Sequence, residues 1–154
     1  MSKQNLQTLL QRVGQTVGIA DLALDEDDYC QLRIDGTLDI TIEFKERDEQ
    51  AVFTARCGTL AEHNRTALLQ EIADANFYWI GGGGGTLSTH SKEGLVYLQF
   101  RESTTQMDQT RLESLLEALV TNAEYWAGRL SAAPADTTVP SDTAATANLI
   151  PNRA

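Results

Sequence analysis

Leu38, Ile40, Ile42 and Phe44 alternate with Asp39, Thr41, Glu43 and Lys45, a period of two that fits a strand with one buried and one wetted face. Such a strand cannot stand alone, because its apolar side needs a covering layer and its edges need partners. The neighbouring runs supply the partners. Residues 29–34 and 51–57 are rich in strand formers, Asp35-Gly36 provides the positive-φ dipeptide of a tight hairpin, and Arg47-Asp48-Glu49-Gln50 is a polar second turn. The pattern predicts a three-stranded meander.

The covering layer is legible on both sides of the meander. Leu6, Leu9, Leu10, Val13 and Val17 recur at steps of three and four, predicting a helix that Ser2 can cap and whose later turns Gly14 and Gly18 weaken. After the meander, Thr59 and Glu62 have capping-box spacing, and Leu68, Leu69, Ile72 and Ala73 form the apolar face of a second helix ending near Asn76. Residues 86–90 and 95–101 read as a hairpin turning at Lys92-Glu93-Gly94. Asp108 then caps a long helix carrying Leu112, Leu115, Leu116, Leu119, Ala123, Trp126 and Leu130. The expected fold is α+β in the order α-β-β-β-α-β-β-α, an antiparallel sheet with helices packed on it. One domain is expected over residues 1–131. Residues 132–154 turn to Ala, Thr, Ser, Asp and Pro with no apolar period, and are expected to form a disordered tail because too little can be buried to offset ordering entropy.

Charge narrows the partners. A net charge of −10 repels a nucleic-acid backbone and an anionic leaflet, so a polypeptide partner is expected, with no nucleic acid and no membrane insertion. No run approaches the ~20 apolar residues of a membrane span, and the N-terminal pattern is amphipathic rather than that of a signal peptide; a cytoplasmic location is expected. Cys30 and Cys57 are too few and too separated in sequence for a disulfide framework or a paired zinc site, and read as core thiols.

The segment 75–100 carries most of the functional signal. It ends a helix, presents Phe77, Tyr78 and Trp79 together, passes through Gly81 to Gly85 and enters a hairpin. So much apolar surface calls for a core or another protein. The glycines lack the Gly-Lys-Ser/Thr ending of a phosphate loop and are expected to act as a flexible hinge. Asp25-Glu26-Asp27-Asp28 lacks the glycine and the distal glutamate of a calcium loop and reads as a solvated linker. His63 and His90 have neither metal-ligand spacing nor a nucleophile partner. No catalytic residue, metal or cofactor is expected.

Several of these features occur in a telling order: the acidic stretch from Leu24 to Cys30 entering the first strand, Cys57-Gly58 closing the third, Ala75 to Trp79 ending the second helix, and Gly84-Gly85 before the next hairpin. In that order the chain resembles the class I type III secretion chaperones of the Tir-chaperone (CesT) family, over roughly residues 3–131. The resemblance implies a non-enzymatic acidic homodimer of the bacterial cytosol that holds the N-terminal segment of a secreted effector in extended form. It also implies contact with the secretion ATPase. By the same resemblance the dimer interface falls on Leu68, Leu69, Ile72, Phe77, Trp79, Leu87, Leu95 and Tyr97, and effector contact on Leu9, Val13, Ile40, Ile42 and Phe44. An alternative within the same family is a regulatory chaperone that also sequesters a transcriptional regulator of secretion. The alternative of a different class is a small-molecule-binding α+β domain centred on the aromatic and glycine segment.

Overall fold

A computed structural model describes residues 2–132. In it the alternating run is the second of five antiparallel strands: β1 (Tyr29–Ile34), β2 (Leu38–Lys45), β3 (Gln50–Thr59), β4 (Thr86–His90) and β5 (Leu95–Ser103), in spatial order β1-β2-β3-β5-β4. Three helices accompany them, α1 (Ser2–Val17), α2 (Arg65–Ala75) and α3 (Gln109–Ser131). This is the α+β order read from the sequence. Ala132 is the only residue of the expected tail that is described; the rest of it lies outside the described residues.

Register explains the layering. Cys30 pairs with Ile42, Ile42 with Phe53, and Phe53 with Phe100, so one face of the sheet is apolar from strand to strand. Helix α3 crosses the middle strands β2, β3 and β5, with α1 against one flank and α2 over β4 on the other. Phe53, Ile40, Ile42 and Leu98 of the sheet and Leu112 and Leu119 of α3 are sealed in the layer between them. The opposite face carries polar rows and, among the described residues, no α-helix. In one of them Gln31 pairs with Thr41, Thr41 with Thr54, Thr54 with Gln99 and Gln99 with Thr86, crossing all five strands.

Turn chemistry follows the sequence in three places. Asp35 and Gly36 take φ of 48° and 70°, Gly94 (φ 65°) closes the β4–β5 hairpin by donating to His90 O at 2.8 Å, and the Asp108 side chain accepts from Arg111 N at 2.8 Å to cap α3. Two caps differ from expectation. Ser2 turns its hydroxyl to Thr104 Oγ1 instead of capping α1. Thr104 in turn donates to Glu49 O at 2.8 Å, and Asn5 donates to Met107 O at 2.9 Å, so the start of α1 is tied to the loops beside β3 and β5. The Thr59 to Glu62 capping box does not form, because Thr59 is still in β3 and a 3-10 turn at Glu62–Asn64 precedes α2.

Candidate protein-docking surfaces

The helix-to-hairpin segment builds the first candidate surface. Asn76 follows the last residue of α2, after which Phe77–Gly82 form a 3-10 turn in which Tyr78 and Trp79 take left-handed φ of 52° and 56°. Residues with a Cβ pay conformational strain there. The turn is held by Trp79 N donating to Asn76 O at 3.0 Å, Gly84 N to Trp79 O at 3.0 Å, and the indole Nε1 of Trp126 to Gly81 O at 2.8 Å. Its consequence is outward display: Phe77, Tyr78, Trp79 and Ile80 are 69%, 74%, 55% and 76% exposed, and Phe77 and Tyr78 meet edge to face with centroids 4.8 Å apart.

The glycines that follow are packed rather than hinge-like. A Cβ at Gly81 would lie 2.4 Å from that of Ala75, one at Gly83 2.2 Å from Asn122 Nδ2, and one at Gly85 2.6 Å from the Phe100 ring. The run brings backbone close against α2, α3 and β5, which excludes side chains. The flexible hinge expected from composition is therefore a tight, close-packed turn.

The second surface is a groove of about 330 Å³ where the C-terminal half of α1, β1 and the N-terminal half of α3 meet. Val13, Val17, Leu32, Ile34, Leu116 and Val120 line it, with the exposed Glu113 and Glu117 beside them. Val17 is well exposed, and Leu32, Ile34, Leu116 and Val120 are half-buried. The neighbouring sheet edge, β1, pairs with no further strand among the described residues. Phe44 N donates to Asp28 O at 2.9 Å, so by alternation the main-chain groups of Cys30, Leu32 and Ile34 face β2, while those of Gln31 and Arg33 face outward. At the start of the strand the edge is closed by Asp25, whose N–H donates to Tyr29 O at 2.7 Å and whose Oδ1 accepts from Tyr29 N at 2.9 Å. The far edge, β4, is closed at Leu87 by the side chain of Asn76.

The residues named from the resemblance fall on both sides of this division. Leu9, Val13, Ile40, Ile42 and Phe44 are buried in the core; of these, Val13 and Ile40 also form part of the groove wall. Leu68, Ile72, Leu87 and Leu95 are likewise buried, Tyr97 is half-buried in β5, and Leu69, Phe77 and Trp79 are exposed. Tyr78 and Ile80 join them on the aromatic turn, and Leu32, Ile34, Leu116 and Val120 carry the groove. The signal for Tyr78 was present in the sequence as its place between two aromatics. The groove residues had none, since they come from three elements. Both thiols are held neutral by burial, which pushes Cys30 upward and Cys57 up to about 12; neither is poised as a nucleophile. Among the described residues no helix is long and apolar enough to cross a membrane.

The overall fold is similar to that of several solved structures. A chain of the ExsC–ExsE complex superposes with a TM-score of 0.73 at 21% identity, covering 83% of this chain and 95% of that one. A chain of the HopA1–SchA chaperone–effector complex gives 0.67 at 18% identity, over 82% and 96%. For the Yersinia pestis type III secretion chaperone SycH in complex with a stable fragment of YscM2 the values are 0.63 and 19%, over 81% and 98%. No curated protein sequence matches the chain. The Tir chaperone protein (CesT) family matches residues 8–127, and the chain belongs to that family.

Proposed function

We propose that this protein is a type III secretion chaperone that binds the N-terminal region of a secreted effector in the bacterial cytosol and keeps it export-competent. The observation that carries the reading is the apolar groove beside an open strand edge, in a chain of the CesT family. An extended segment can pair with the outward main chain of Gln31 and Arg33 while its apolar side chains enter the groove, which tolerates varied client sequences. The groove and edge thus form the client surface, with Val13 and Ile40 in its wall and Leu9, Ile42 and Phe44 supporting it from within the core.

Homodimer formation belongs to the same proposal, as does contact with the secretion ATPase. The exposed Leu69, Phe77, Tyr78, Trp79 and Ile80 form the dimer surface, on the evidence of their exposure and of the strained turn that presents them. Buried Leu68, Ile72, Leu87 and Leu95 support that surface from behind, and Tyr97 lies on the adjoining strand β5. Co-expression with candidate secreted effectors, followed by co-purification, tests the reading. A 2:1 complex with an N-terminal effector fragment is expected; a monomer that retains no such fragment would overturn it.

A further inference from the structure

The groove between α1, β1 and α3 is apolar and edged by two carboxylates, and among the described residues no lysine or arginine pairs with Glu113 or Glu117. An occupant that fits it is a short apolar segment followed by a cation. The chain carries one itself. In residues 133–154 the only apolar side chains larger than alanine, prolines aside, are Val139, Leu149 and Ile150, and the last two are followed by Pro151, Asn152 and Arg153.

We propose that in the client-free protein this groove is occupied by the chain's own segment Leu149-Ile150-Pro151-Asn152-Arg153, with Leu149 and Ile150 against Leu32, Leu116 and Val120 and Arg153 beside Glu113 and Glu117. The apolar pair offers the burial the groove lacks, and the guanidinium complements its carboxylates. Proline at 151 disfavours helix at Ile150 and favours the extended backbone that lies along an edge strand. Reach is sufficient. The groove residues of α3, from Glu113 to Val120, lie 11 to 18 residues before Ser131, about 17 to 27 Å along the helix axis at its 1.5 Å rise. The residues from 133 to 149 can span roughly 55 Å when extended. A tethered segment competes at an effective concentration in the millimolar range, so even weak intrinsic affinity keeps the groove filled until a client displaces it.

That the tail competes with client rests on the function proposed above; the docking itself does not. The test uses the full chain with Asn152→Cys carrying a nitroxide and with methyl groups of Ile, Leu and Val labelled for NMR. Cys30 and Cys57 are buried, so the reagent goes to position 152. Selective broadening of the Ile34, Leu116 and Val120 methyls is expected, with Leu87 and Val96 spared, and its loss in a Leu149→Asp/Ile150→Asp variant. Absent or uniform broadening, or broadening that survives the double substitution, overturns the proposal. The same double variant is then titrated with an effector N-terminal fragment. A tail that fills the groove in about nine of ten molecules weakens apparent affinity about tenfold, so the variant should bind about tenfold tighter. Selective broadening with unchanged client affinity would uphold the docking and remove the groove from the client reading.

Discussion

The side-chain amide of Asn76 pairs with the main chain of Leu87 as a neighbouring strand would: Nδ2 donates to the Leu87 carbonyl at 2.9 Å and Oδ1 accepts from its N–H at 2.8 Å. One residue at the end of α2 thereby closes the edge of β4 and sets the turn that displays the aromatics. An exposed edge is a template for unwanted pairing, and covering it directs strand addition to the other side of the sheet.

Replacing Asn76→Ala leaves both Leu87 groups without that partner. A loss of about 1 to 3 kcal/mol is expected from the two broken bonds, measured by urea unfolding. Hydrogen exchange at the Leu87 amide should accelerate more than at neighbouring β5 amides; unchanged exchange would mean the bond is not formed in solution.

The glycine run separates two kinds of substitution. Gly81→Ala forces a methyl to within 2.4 Å of Ala75 Cβ, an overpacking expected to cost about 1 to 3 kcal/mol or more. Gly36→Ala meets nothing within 4 Å and bears only its left-handed φ of 70°, for which about 1 kcal/mol is expected. Parallel urea curves decide the ranking, and equal losses would contradict close packing at Gly81.

On the aromatic turn, Ile80→Asp places a charge at the most exposed of the four apolar side chains. With the proposed homodimer formed through this turn, sedimentation should show the mass falling from twice 16.9 kDa to 16.9 kDa, with the circular dichroism spectrum retained; an unsubstituted chain that is itself monomeric would remove the dimer from the proposal. A variant that stays dimeric would move the interface elsewhere.

Client binding and folding should respond differently to two aspartates. Ile42 is 0% exposed, so Ile42→Asp buries an unpaired carboxylate and should cost about 4 kcal/mol or more, unfolding the chain rather than selectively blocking a partner. Leu32→Asp, at the half-buried groove wall, should leave a folded dimer and weaken an effector fragment by about tenfold or more in calorimetry. A fragment that binds Leu32→Asp normally would exclude the groove.

Burial holds the Cys57 thiol neutral up to about 12. Its folded value lies above its unfolded one, so the thiol's contribution to stability is complete below the unfolded value and is lost as pH rises toward 12. Stability should therefore decline with pH above the ordinary thiol range, less so in Cys57→Ala. Iodoacetamide at pH 8 should leave Cys57 unmodified in the folded protein and modify it in urea.

Elements with a strong local period were legible in the chain itself. The alternation at Leu38 to Phe44, the Leu112 to Leu130 stripe, the Asp35-Gly36 turn and the Asp108 cap each reflect contacts within a few residues of one another, and they suffice for the α+β order. Caps whose partners lie elsewhere were not legible: Ser2 answers to Thr104, about a hundred residues away, and Asn76 to Leu87 in the next strand. The same limit governs the docking surfaces. Alternation identifies which side of β2 is apolar, but whether Ile42 is sealed or available depends on α3 lying across it. The groove exists because α1, β1 and α3 leave a gap where they converge, and the aromatics face outward because Asn76, Trp126 and packed glycines hold two residues in left-handed conformation. Local pattern determined the elements; long-range packing decided which of their apolar faces remained open.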